Sequence, residues 1–206
     1  MTGCPRDPAR AQTANVEVVV SSFPTVIRRD LSLEQLARLP GVESVGPGRR
    51  LQGLTMVHHR LGYRTGVAVS GHLFGGEPCA WIDHLTVDMT PDKIEIDVPS
   101  DYPETSCEYE EILAHERLHE EAHRGTLADS AADMRRALAQ ADFLPARGAP
   151  LTVADRADAE KRIEALVDRA ARPVYADFER TLAMRQAVID LPANYRWTTK
   201  RCSNWK

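Results

Sequence analysis

Apolar and polar positions follow two rhythms in this chain, one before about residue 100 and another after it. In the first part, apolar residues cluster in short runs rich in β-branched side chains and separated by turn signals, which predicts strands. These runs are "VEVVVSS" (Val16 to Ser22), "GLTMVHHRL", "YRTGVAVSGHLF" and "CAWIDHLTVDMT". "TPDK" then turns into "IEIDVP", where Ile94, Ile96 and Val98 alternate with polar residues as a half-buried strand requires. A small helix interrupts the series. It is "LSLEQLARLPG", with Ser32 as N-cap, Gln35 three residues on, and Pro40 and Gly41 as its stop.

The second part is helical. A long helix is predicted from Thr105, which forms a capping box with Glu108, towards Gln140, with Gly125 as a candidate break. After the loop "FLPARGAP", a second helix starts near Thr152, continues past Pro173 and ends about Asp190, ahead of Pro192. So short a loop predicts an antiparallel hairpin. The tail "NYRWTTKRCSNWK" has no clear period, and its aromatic residues predict packing against the domain. Strands followed by helices give an α+β class. We expect one zincin-like domain over 1–206: a mostly antiparallel sheet at about 15–100, a helical hairpin at 105–190 and a tail at 191–206.

Composition narrows the partners. At 206 residues and 43% hydrophobic content the chain can bury a core, so disorder is not its main state. A formal charge of -4 with scattered basic residues gives no general attraction to nucleic acid or anionic membrane. No apolar run is long enough to span a bilayer, and the first residues lack the apolar core of a signal peptide. A mature exported domain separated from its signal would look the same. The cysteines Cys4, Cys79, Cys107 and Cys202 form no CxxC pair, so a zinc knuckle has no support. Their even number fits disulfides, expected as Cys79 with Cys107 and Cys4 with Cys202, in a periplasmic or secreted protein. Four free thiols in a cytoplasmic protein are the alternative.

The chemistry concentrates in "EYEEILAHERLHEEAHRG", Glu108 to Gly125. "HERLH" fits H-E-x-x-H: on a helix, His115 and His119 share one face and can hold one Zn2+, while Glu116 stands beside the open coordination position as general base. Such a zinc acidifies its water and polarises a carbonyl, which suits peptide hydrolysis. A third ligand is needed. His123 lies about 12 Å of helix rise beyond His115, too far on a straight helix, and Gly125 follows it rather than preceding it as the metzincin pattern requires. If the hairpin folds about "PARG", His115 and His119 face roughly Pro173 to Asp177. Asp177 is therefore the first choice as third ligand, with Glu179 behind it, or His123 if the helix breaks early, and Tyr175 is a candidate oxyanion donor. His58, His59, His72 and His84 are lesser candidates from the strands. A peptide or protein substrate would lie along a sheet edge, with Ala80 to Met89 the candidate strand. The alternative function is a zinc-stabilised binding or structural domain of an exported protein, without hydrolysis.

The order "SCEYEEILAHERLHEEAH", preceded by "DHLTVDMTPDKIEIDVP" and followed by "YADFERT", resembles a bacterial domain-of-unknown-function family described as predicted secreted zinc-dependent proteases. The resemblance covers roughly residues 15 to 190, and its sharp motif is H-E-x-x-H. The family's second helix carries a Tyr-Asp, Thr and His-Gly cluster; this chain has Tyr175, Asp177 and Thr181 at other spacings and no His-Gly. The resemblance implies zincin-like architecture, export, and peptidase roles for His115, Glu116 and His119.

Overall fold

The computed structural model describes residues 4, 15–40, 42, 51–58, 61–71 and 77–205. Along the chain they form β1 (Asn15–Val19), β2 (Thr25–Arg28), α1 (Leu33–Leu36), β3 (Leu54–Val57), β4 (Gly62–Ser70), β5 (Cys79–Asp88) and β6 (Ile94–Asp97). Then come α2 (Cys107–Gln140), β7 (Leu151–Thr152), α3 (Arg156–Ile189) and α4 (Pro192–Thr199). Strands precede long helices, so the α+β class holds. The residues group into two compact units, one of 1–21, 60–90 and 128–178, the other of 22–59, 91–127 and 179–206.

In the first unit β5 is the central strand, antiparallel to β4 along one side, and parallel to β1 and antiparallel to the short β7 along the other. Its inward residues Ile82, Leu85 and Val87 are buried, and the shift from even to odd positions follows from a bulge opposite Gly66 and Val67. Because β5 is paired along both sides, it offers no edge to a substrate. The expectation for Ala80 to Met89 is thereby corrected. A disulfide joins Cys4 to Cys79, with Cα atoms 5.7 Å apart.

The second unit has its own sheet, with β6 between parallel β2 and antiparallel β3. All four residues of β6 are buried, where half-burial was expected. Glu95 and Asp97 tolerate this because Arg28 meets both, at 3.1 Å and 2.9 Å, and Lys93 meets Glu95 at 2.7 Å. A second disulfide joins Cys107 to Cys202, with Cα atoms 5.8 Å apart. Both pairings therefore differ from the expected ones. Each bridge closes within its own unit: Cys79 opens β5 in the first, whereas Cys107 opens α2 in the second.

Local chemistry sets the helix ends. The Ser32–Gln35 capping box of α1 is present as expected. Helix α2 is capped by Ser106, whose Oγ accepts from the Tyr109 N–H at 3.2 Å, not by Thr105. Gly125 does not interrupt it. Thr152 belongs to β7, so α3 starts later, capped by Asp155, which accepts from the Asp158 N–H at 2.9 Å. The helix runs on through Pro173. The tail contains α4, whose start is favoured by Pro192 at its first turn. Asn194 of α4 donates to the carbonyls of Val188 and Ile189 at 3.1 Å and 2.9 Å, satisfying acceptors left open at the end of α3. This fixes the corner that carries Asp190. No helix among the described residues is long and apolar enough to cross a membrane.

Candidate metal centre

Helix α2 brings His115 and His119 onto one face, four residues apart, and both are buried. Their Nε2 atoms stand 3.3 Å apart. The third group is Asp190, just past the last residue of α3: its Oδ1 lies 3.3 Å from His115 Nε2 and 3.1 Å from His119 Nε2. Three donors so spaced lie about 1.9 Å from the centre of their triangle, and zinc with bonds of about 2.0–2.1 Å fits just above that plane. Tetrahedral ligands at those bond lengths are themselves about 3.3–3.4 Å apart. The donor set, two imidazoles and a carboxylate, is also zinc's. Among the described residues this is the one group of His, Cys, Asp or Glu side chains spaced to hold a metal ion, and it contributes three ligands.

The surroundings orient the donors. Gln186, one turn before Asp190 on α3, places its Oε1 against His119 Nδ1, which donates to it; Nε2 is thereby left to supply a lone pair to a metal or, when protonated without one, to donate to Asp190. Tyr195 donates from its hydroxyl to Asp190 Oδ1 at 2.8 Å, and its ring lies 5.1 Å from that of His115. For Asp190, burial works against ionisation, but hydrogen bonds from His115 and His119 outweigh it and hold the carboxyl well below its ordinary range. For His119, burial opposes the charged form, while Asp190 and Glu116 outweigh it and raise the imidazole.

Glu116 is only 4% exposed and is not one of the three donors. Thr55 of β3 donates to its Oε2 at 2.7 Å. Burial raises the Glu116 carboxyl above its ordinary value, against the pull of the neighbouring imidazoles and the Thr55 bond. Gly53 makes the room: a β-carbon there would stand 2.8 Å from Glu116 Oε1 and 2.7 Å from Ile112 Cγ2.

His115, Glu116 and His119 therefore come together as the motif requires, but the rest of the expected site does not. Asp177 is exposed and belongs to the first unit, so Asp190 takes the place proposed for it. Tyr175 is in that same unit, with its ring 5.8 Å from Phe178, and Tyr195 is the tyrosine at the centre. Glu179 is exposed and outside the donor group. The reason is register. His119 meets Gln186, which centres the hairpin near Val153 rather than in "PARG", because β7 and Asp155 delay the start of α3. The alternative His123 is buried edge-on against Phe23 and lies outside the group of possible metal donors. His84 stands by Asp83 at 3.6 Å, and neither it nor His58 joins the group. His59 and His72 lie outside the described residues. One signal for Asp190 was in the sequence: a carboxylate at a helix C-terminus faces the negative end of the helix dipole and calls for a nearby cation.

No family model, curated protein or solved structure matches this chain. The case for its function rests on the centre itself.

Proposed function

We propose that the protein is a zinc-dependent peptidase, with His115, His119 and Asp190 as metal ligands and Glu116 as general base. The observation that carries this reading is the three-donor triangle with a buried, non-ligating carboxylate beside it. A structural zinc site fills four positions with protein groups, whereas a catalytic one uses three and keeps one open. Zinc bound there supplies Lewis acidity and a water that ionises near neutral pH.

The chain's own groups do the rest. Thr55 anchors one oxygen of Glu116, which leaves the other to take a proton from the attacking water and pass it to the departing amine. Burial strengthens that carboxylate as a proton acceptor. Gln186 orients the His119 imidazole through Nδ1. The substrate strand is β3 rather than β5. Among the described residues β3 pairs only with β6, so its other side is an edge, and its Thr55 touches the base. An extended peptide added there would be presented to Glu116 by main-chain hydrogen bonds. Two disulfides fit an oxidising compartment, which supports an exported protein, periplasmic or secreted.

A second reading, a zinc-stabilised domain without hydrolysis, draws on the way the donors join α2 to the C-terminal segment. Metal analysis of wild type, His119→Ala and Glu116→Gln, with hydrolysis of an unfolded protein substrate, separates them. Peptidase action requires zinc in wild type and in Glu116→Gln, loss of zinc in His119→Ala, and hydrolysis by wild type alone. Zinc in wild type without hydrolysis leaves the structural reading; no zinc in wild type removes both.

A further inference from the structure

The C-terminal segment delivers more than a ligand. Asp190 and Tyr195 are five residues apart, across the corner from α3 into α4, and together they touch the whole donor set. The Tyr195 hydroxyl reaches Asp190 Oδ1 at 2.8 Å, the same oxygen that lies within 3.3 Å of both imidazole Nε2 atoms. Its ring is tilted by 43° against that of His115. A carboxylate oxygen has two lone pairs, one to ligate and one to accept this bond. Without the bond, Asp190 could rotate about its side-chain torsions, and the triangle would be one of several arrangements.

The segment is itself held to the start of α2. Besides the Cys107–Cys202 bridge, the Asn204 N–H donates to Glu108 Oε1 at 2.7 Å, and Arg201 Nε meets Glu111 Oε1 at 3.1 Å. Trp205 packs edge-on against Tyr102, ring centres 5.8 Å apart. Four contacts therefore fasten the stretch that follows α4, the helix on which the tyrosine rides, and the tyrosine carries that restraint to the ligand. Resting on the metal reading above, we infer that Tyr195 is a positioning residue of the metal centre, one that locks Asp190 in its ligating rotamer and braces His115.

Tyr195→Phe tests this with little risk to folding, since it keeps the ring and removes only the hydroxyl. Zinc affinity is measured by competition with a chromophoric chelator, and the cobalt(II)-substituted protein is examined by visible absorption. Partners of this kind are worth about 10- to 100-fold in metal affinity. Tyr195→Phe should fall in that range and shift the cobalt bands at saturating metal. Arg196→Ala, also on α4 and exposed, should do neither. Wild-type affinity and spectrum in Tyr195→Phe would overturn the inference. So would equal losses in Tyr195→Phe and Arg196→Ala, which would mean a general loosening of α4. Unaltered metal binding with a lowered kcat would assign the hydroxyl to substrate instead. If wild type itself takes up no metal, the failure belongs to the metal reading and not to Tyr195.

Discussion

Gly53→Ala is the smallest change that tests how the base is held. The new methyl would stand 2.7 Å from Ile112 Cγ2, 2.8 Å from Glu116 Oε1 and 2.9 Å from Glu116 Cγ, where ordinary contact begins at 3.4 Å. The neighbours must retreat by about 0.5–0.7 Å. Ile112 is fully buried and has little room, so Glu116 gives way, and the 2.7 Å bond from Thr55 lengthens or breaks. Overpacking of this kind costs about 1–3 kcal/mol, offset by about 0.4–1 kcal/mol because alanine restrains the unfolded chain. We expect a net loss of about 1–2 kcal/mol, read from urea unfolding. Misplacement by about 1 Å can cost about a hundredfold in rate, so a shift of half that should lower kcat roughly tenfold. Zinc content should not change, because the methyl touches none of the three donors. A variant as stable and as active as wild type would refute the packing, and one that loses zinc would refute the division between base and ligands.

Three further outcomes are expected. Asp190→Ala should weaken zinc binding by more than the roughly hundredfold upper range for outer partners, whereas Asp177→Asn should leave it unchanged; zinc competition titrations compare them. Cys202→Ser should cost about 2–4 kcal/mol of stability and lower zinc affinity, because the bridge fastens the segment carrying Asp190; in Cys4→Ser zinc affinity should stay at the wild-type level. Glu95 is held below its ordinary value of 4.5, chiefly by the Lys93 ammonium, with burial opposing and Arg28 assisting. Since its folded value is the lower one, its stabilisation is complete above about pH 4.5 and is lost as pH falls through the folded value. Lys93→Ala should therefore destabilise the protein more at neutral pH than near pH 3, so that urea midpoints show a shallower acid limb than in wild type.

The periodic elements were legible because local rules suffice for them. The Ser32–Gln35 box, the strand runs and both long helices depend on neighbours within a few residues, and they appear within a few positions of where the pattern puts them. His115, Glu116 and His119 were legible for the same reason: one helical turn decides their geometry. Asp190 was not. Finding it required the register of two 34-residue helices, and that register depends on β7 and on Asp155 taking the cap from Thr152. An error of about six residues in where the hairpin centres placed the expected third group at Asp177, whereas Asp190 is the carboxylate that meets His115 and His119. The disulfides failed likewise. Sequence spacing does not say that Cys79 and Cys107 fall in different units, although they are the nearest pair along the chain. Glu95 and Asp97 show a third limit: alternation predicted them outward, and ion pairs with Arg28 let them be buried.

Glu116 distinguishes the two zinc readings on physical grounds. A carboxylate 4% exposed loses most of its hydration, a cost of several kcal/mol that the Thr55 hydroxyl offsets only in part. A domain that used zinc only to fasten α2 to its C-terminal segment would have no use for that cost, and an apolar side chain beside Ile112 would pack as well. Gly53 adds to the point, since its missing methyl leaves the space this carboxylate occupies. Nor does Glu116 relieve its burial by ligation, because its oxygens stand outside the donor triangle. A buried proton acceptor, held by one hydroxyl, one residue after His115 and three before His119, is what the proposed hydrolysis requires and what fastening alone does not.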